Sequence, residues 1–241
     1  VTVPVSGLTL NPNQASATLA VGGKTTFTAV VAPANATDKK VTWSTSDPKV
    51  AAITGPDSSG KITVTGKKTG TAKITAAAGG KTVTCTVTVV SLNKTKLTLG
   101  KGEKFTLKVN GTKKKATWSA SSNGVMVKNG KLTAKKAGKK AVTITAKVDG
   151  VSLTCKVTVK NAPKKISLNA KSKTLKKGKT FKIKVKFPKN TASNKLTYKS
   201  SNSKVAKVDA NGKIKAVKKG KATIMVTTFN KKKAKLKVTV K

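Results

Sequence analysis

The chain has 241 residues, with 52 lysines, no arginine, no histidine and six acidic residues, for a formal net charge of +46. The absence of histidine removes the commonest general base and metal ligand. A charge this high can hold a chain unfolded, but the apolar residues alternate strictly with Thr and Lys, as in Thr82 to Val89, which is the period of a half-buried strand and not of a disordered tail.

The charge is graded along the chain. Residues 1–90 hold 9 Lys and 3 acidic residues, a net of +6, residues 91–161 a net of +15, and residues 162–241, with 26 Lys and Asp209 alone, a net of +25. No apolar run approaches the ~18 residues of a membrane span, and no secretory or lipidation motif is visible. Val1-Thr2-Val3-Pro4 opens in mid-pattern, which reads as a portion of something longer.

In chain order, the same anchors return three times. Phe27, Phe105 and Phe181 each follow a Gly-Lys turn and lie 78 and 76 residues apart, a period of nearly 80. Trp43, Trp118 and Tyr198 each follow Thr and precede a Ser-rich turn. Gly60-Lys61-Ile62, Gly130-Lys131-Leu132 and Gly212-Lys213-Ile214 each open a short strand, and Val-Thr-Val strands close near Val89, Val159 and Val240. Each repeat contains several short alternating runs broken by Gly, Pro, Asn, Asp or Ser, the pattern of an antiparallel β-sandwich.

This reading predicts an all-β chain of three tandem immunoglobulin-like β-sandwiches over residues 1–90, 91–161 and 162–241. Phe181, Ile183, Val185 and Phe187 should point inward while Lys182, Lys184 and Lys186 point out. Phe27, Phe105 and Phe181, with Trp43, Trp118 and Tyr198, are the expected core, the latter three filling the middle of each sandwich. Cys85 and Cys155 occupy one repeat position where the third repeat has Leu236, so they read as small core hydrophobes and not as a disulfide pair. The junctions Val87 to Leu92 and Lys160 to Lys164 are short, and Pro163 stiffens the second. With strands of about ten residues at ~3.3 Å each, three sandwiches in line would form an elongated rod of roughly 100 Å.

The Gly-Lys turn with its following Phe, the stretch from Val41 to Ala51 and the Thr71 to Ala76 stretch resemble the bacterial Ig-like domains of group 2, found in tandem in surface proteins such as the intimin and invasin adhesins. The resemblance covers nearly the whole chain. Repeat two departs by its shorter Gly111 to Lys115 loop and repeat three by Tyr198 in place of Trp. The resemblance implies a bacterial cell-surface or cell-wall module, and because the residues show no catalytic apparatus no enzyme is expected.

Chemistry is otherwise sparse. Asp38, Asp47, Asp57, Glu103, Asp149 and Asp209 are scattered, which disfavours a calcium cage, and two isolated cysteines without histidine disfavour zinc. No cofactor is expected. A Lys–Asn crosslink would need a buried carboxylate, and Glu103 reads as part of an exposed turn beside Lys101 and Lys104.

The lysines then carry the functional reading. Solubility needs a net charge of only ~2–8 on a small domain, and excess like charge destabilises the compact state. The expected partner is an anionic cell-envelope polymer resembling teichoic acid, bound diffusely through Lys182, Lys184, Lys186, Lys218, Lys219, Lys235 and Lys237. Those side chains should lie on different strands and different sheets, a coat and not a pocket. The lack of arginine and of interleaved aromatics disfavours nucleic acid, and a monomer outside the cell is expected. The alternatives are an adhesin binding host protein or glycan, with repeat one as the place to look, or a carbohydrate-binding accessory module of a secreted enzyme.

Overall fold

The computed structural model describes residues 1–241, and every regular element is a β-strand, 25 in all. The chain forms two compact units. The first comprises Val1–Thr95, Leu107–Ser119 and Thr145–Thr154; the second comprises Lys96–Thr106, Ala120–Ile144 and Cys155–Lys241. The middle repeat contributes to both.

In the first unit, Gly7–Asn11, Lys24–Ala32, Lys61–Gly66 and Ala51–Thr54 form an antiparallel sheet in that order. A second sheet runs Val109–Asn110, Lys81–Leu92, Gly70–Ala78 and Thr42–Thr45, with Ser16–Ala20 joining Lys81–Leu92 in parallel. Strand alternation sends Phe27, Ile62 and Val64 from one sheet, and Ile74, Cys85 and Val87 from the other, into a common core where all are 0% exposed. Each such large side chain contributes about 1.5–3 kcal/mol by leaving water.

Lys81–Leu92 carries the chain past the repeat boundary at residues 90 and 91 without a break. Val87 and Val89 are buried on one face, and Val90 and Leu92 on the other. The apolar phase therefore slips by one residue, and a single strand serves two layers. Its last residues pair with the middle repeat, Leu92 with Val109 and Ser91 with Asn110.

In the second unit, Lys104–Thr106, Lys131–Ala134 and Val125–Lys128 form one antiparallel sheet, and Lys96–Gly100 runs parallel to Lys156–Lys160. The third repeat has a sheet of Thr180–Lys182, Lys213–Ala216 and Ala206–Val208. Its larger sheet runs Ser172–Leu175, Lys233–Val240, Gly220–Thr228 and Leu196–Ser200. Ile183, Ile214, Ile224, Leu236 and Val238 form the core. The all-β, tandem Ig-like sandwich architecture expected from the alternation is what the chain adopts.

The recurring Gly-Lys turn has a conformational cause. Gly22, Gly102 and Gly178 have φ of 83°, 86° and 82°, each at the third position of a turn closed by a backbone hydrogen bond (Gly23 to Ala20, Glu103 to Gly100, Lys179 to Lys176). A type II turn requires that left-handed conformation, which only glycine adopts without steric cost.

The aromatic anchors depart from expectation. Phe27 is fully buried, but Phe105 and Phe181 are only half-buried. All three are paired on one side, Phe27 with Ile62, Phe105 with Leu132 and Phe181 with Ile214, but Phe27 lies on the continuous strand Lys24–Ala32, whose later residues pair with Gly7–Asn11. The edge strand in each later repeat is interrupted, at Leu107–Lys108 and Ile183–Lys184. There the Asn93 and Asn169 side chains accept the N–H of Lys108 and Lys184 in place of a ladder partner. Lys173 covers the open Phe181 ring, its Nζ 5.3 Å from the centroid, a cation–π contact worth about 0.5–1 kcal/mol at an exposed site. Trp43, Trp118 and Tyr198 do not fill the middle of the sandwiches. They are half-buried, and Trp43 and Tyr198 sit on outermost strands and close the margin of the core.

Glu103 also corrects the sequence reading: although Lys101 and Gly102 of its turn are exposed, Glu103 itself is only 1% exposed. Its Oε2 accepts the N–H of Gly100 and of Asn194, both at 2.9 Å, and its Oε1 accepts the N–H of Lys195 at 2.6 Å. Lysine neighbours in sequence suggested solvent, but the turn of the second repeat is covered by the 193–195 loop of the third.

Candidate functional site

All the lysines of the third repeat are exposed. Those singled out from the sequence divide between sheets: Lys182 lies in the three-stranded sheet, Lys186 pairs with Ser167, and Lys235 and Lys237 lie in the four-stranded sheet. Lys184 sits at the strand interruption, and Lys218 and Lys219 lie in the turn before Gly220–Thr228. They converge on no single point.

The four-stranded sheet presents further lysines that the sequence reading did not single out. Lys199 pairs with Met225, which pairs with Lys235, and Lys233 and Lys237 pair with Thr227 and Thr223. Opposed residues share a face, so Lys199, Lys233, Lys235 and Lys237 project from the outward side over a floor of Thr223, Met225 and Thr227. Lys199, Lys235, Lys237, Ser200, Ser201, Thr223 and Met225 bound a concavity of about 520 Å³. The signal was present in the alternation Lys233-x-Lys235-x-Lys237, but Lys199 becomes its neighbour only through pairing.

Asp57 and Asp209 serve local hairpin structure. Asp57 accepts the hydroxyl of Ser59 and the N–H groups of Ser59 and Lys61, and these bonds, the side-chain one foremost, hold its carboxyl below the usual range. Asp209 accepts the N–H of Lys213 and Asn211 in the equivalent hairpin and is lowered chiefly by the Lys213 bond. Asp149 pairs with Lys114 at 3.0 Å and accepts the Thr18 hydroxyl at 3.3 Å. No three His, Cys, Asp or Glu side chains converge as a metal site would need. Cys85 and Cys155 are buried free thiols, and burial raises both above the ordinary thiol value. No helix is long and apolar enough to cross a membrane.

The first repeat holds a different concavity, about 460 Å³, lined by Val30, Val41, Trp43, Pro56, Lys39 and Ser59 among others. Half-burial of Trp43 thus leaves part of its surface facing an open groove.

With tandem sandwiches and a repeated Gly-turn, aromatic and closing-strand framework in place, relationship becomes decisive. The sequence model of the bacterial Ig-like domain (group 2) matches residues 4–87 and 162–240, more than half of the chain. The chain belongs to this family. A bacterial Ig-like chain of this kind is a tandem structural module, and residues 88–161 lie between the matched segments while carrying the same anchors.

An Ig-like virion protein of Serratia phage KSP90 is 47% identical over 89 residues, covering 36% of this chain and 32% of that protein. An uncharacterized protein of Clostridium acetobutylicum is 36% identical over 177 residues, covering 66% of this chain and 18% of that protein. The chain thus spans a third or less of these curated relatives. Among solved structures, the S-layer protein rSbsC(31-844) aligns over 99% of this chain and 40% of its own, at 20% identity and a TM-score of 0.30. The titin I-band fragment I67-I69 aligns over 100% of this chain and 99% of its own, at 13% identity and a TM-score of 0.28.

Proposed function

We propose that this bacterial Ig-like chain is a non-enzymatic module of an extracellular surface, held to anionic cell-envelope polymer by its lysine-rich repeats. The observation that carries this reading is the +25 net charge of residues 162–241, all of whose lysines are exposed. Like charges at this density repel one another and oppose the compact state. A fixed polyanion offsets that repulsion and gains from release of its own counterions, as nucleic acid does with lysine-rich proteins. The phage relative, a virion protein by name, supports a place on the outside of a particle or cell.

Lys182, Lys184, Lys186, Lys218, Lys219, Lys235 and Lys237 would contribute as a coat. Binding should be salt-sensitive, because exposed charges are screened within ~10 Å at 0.1 M salt. The test is retention of the full chain on purified bacterial walls, before and after chemical removal of their phosphate polymers, across a salt series. Retention is expected to require the phosphate polymers and to fall with salt. Equal retention on stripped walls, or indifference to salt, overturns the reading.

A second reading has one specific observation behind it: the open groove at Trp43 in the least basic repeat. An indole face beside Ser59 and Lys39 has the chemistry to stack on a sugar ring. A glycan array with Trp43→Ala as its control separates this adhesive or carbohydrate-binding role from wall attachment.

A further inference from the structure

We infer that the outward face of the sheet Ser172–Leu175, Lys233–Val240, Gly220–Thr228 and Leu196–Ser200 is a docking trough for one strand of a linear polyol-phosphate polymer. This rests on the envelope-attachment reading and narrows it to one surface and one ligand chemistry. Lys233, Lys235 and Lys237 form one bank, spaced at about 6–7 Å because alternate residues rise ~3.3 Å each along a strand. Lys199 stands on the other bank, opposite Lys235 across Met225. Two inter-strand steps of ~4.8 Å set the banks about 10 Å apart at the backbone. Thr223 and Thr227 place hydroxyl groups on the floor between them, and these can donate to phosphate oxygens.

The first repeat shows that the sheet does not need these lysines. Matching Cys85 with Leu236 and Trp43 with Tyr198 puts Thr82, Thr84 and Thr86 where Lys233, Lys235 and Lys237 stand, and Ser44 where Lys199 stands. The pairings are equivalent: Ile74 with Cys85 and Trp43 with Ala76, against Ile224 with Leu236 and Tyr198 with Val226. One fold thus fills these four positions with uncharged hydroxyl residues in one copy, where Lys73 opposite Thr86 carries the charge on the face, and with four lysines in the other. Ammonium groups gathered on one face repel one another and oppose the compact state, and an anion lying along them offsets that repulsion.

The other sheet of the repeat is a weaker candidate. It also carries lysines, but Asp209 sits among them and draws on Lys182 and Lys213 electrostatically. On the trough side the outward positions of all four strands include no carboxylate. Uncompensated ammonium groups in a row match monoanions in a row. A glycerol-phosphate repeat places six backbone bonds between phosphorus atoms, a contour comparable to the lysine spacing. Single-stranded nucleic acid has a similar charge spacing, but the trough offers no aromatic ring for a base to stack on and no arginine.

The test uses the full chain and poly(glycerol phosphate) as the probe, with binding followed by calorimetry and by chemical-shift changes. The triple variant Lys199→Gln, Lys235→Gln, Lys237→Gln is compared with Lys207→Gln, Lys213→Gln, Lys215→Gln, which removes the same charge from the other sheet. The trough triple is expected to weaken binding about tenfold or more, since three phosphate contacts are lost. The control triple should weaken it by no more than about threefold, and shifts should centre on Thr223, Met225 and Thr227. Equal losses in the two triples overturn the trough while leaving wall attachment standing. Wild-type chain that is retained on phosphate-bearing walls but ignores poly(glycerol phosphate) overturns the ligand class. Tighter binding to a single-stranded oligonucleotide of matched charge overturns it in favour of nucleic acid. Failure of retention on walls at all removes the broader reading as well.

Discussion

The Glu103 carboxylate accepts the backbone N–H of Lys195 at 2.6 Å, joining a turn of the second repeat to a loop of the third across 92 positions of sequence. Asn194 and Gly100 donate to the same carboxylate, so one buried acid organises three amides. The neighbouring bonds from Asn161 N–H to Asn190 and from Ala192 N–H to Asn161 continue the junction, and the Asn230 side chain donates to the Pro163 carbonyl. The joint between these repeats is made by specific polar contacts, beyond the stiffness of Pro163.

Replacing Glu103 by Ala leaves those three N–H groups without their acceptor. Each buried unsatisfied donor costs about 1–3 kcal/mol, and partial access to water lowers the sum. A loss of about 2–4 kcal/mol in urea unfolding is expected, together with fast hydrogen exchange at Gly100, Asn194 and Lys195. Glu103→Gln should lose part of this, because its NH₂ group faces donors. Unchanged exchange at all three amides in Glu103→Ala would count against the clamp.

Gly100 lies in the same junction, where a Cβ would overlap the Ala192 carbonyl oxygen and the Phe229 ring. Gly100→Ala should therefore cost about 1–3 kcal/mol, the usual range for overpacking. Gly138, where a Cβ meets nothing within 4 Å, provides the control, and Gly138→Ala should leave the unfolding midpoint nearly unchanged.

The buried thiols give a pH prediction. Burial raises the folded value of Cys85 and Cys155 above the ordinary thiol range, so the folded state holds these protons more tightly than the unfolded chain. Their contribution to stability is complete below the unfolded thiol value and is lost as pH rises through the folded one. Thiol labelling should be slow in the native protein at mildly alkaline pH and fast for both cysteines in strong denaturant. Rapid native labelling of either would contradict its burial.

At the other end of the scale, Asp209 is held below the usual carboxylate range by the Lys213 N–H, then by Asn211 and by the lysine charges. A lowered carboxyl contributes above its unfolded value and ceases to do so as pH falls through its folded one. An NMR titration should show the Asn211 and Lys213 amides moving together below the ordinary carboxyl range. In Asp209→Asn that acid transition should vanish. A titration at or above the ordinary carboxyl value would refute the hairpin assignment.

Much of the architecture was legible beforehand. The alternation in Thr82 to Val89 and in Lys233 to Val240 named their inward residues, and the shared position of Cys85, Cys155 and Leu236 marked them as interchangeable core residues. Phe27, Phe105 and Phe181 were all expected in the core from their shared repeat position, but that position does not show that the strand is interrupted after Phe105 and Phe181 and continuous after Phe27. Glu103 was misread because its neighbours in sequence are lysines, while the groups that bury it are 91 and 92 positions away.

By itself, the sequence determined the all-β sandwich class, the repeat period and the rising positive charge, because strand alternation and formal charge are properties of short segments. Only tertiary structure decided that Glu103 is a buried clamp, that Trp43 and Tyr198 close margins of the core, and that Lys199 faces Lys235 over Met225. Strand pairing and loop docking bring together residues tens of positions apart, and no local pattern encodes which of them will meet.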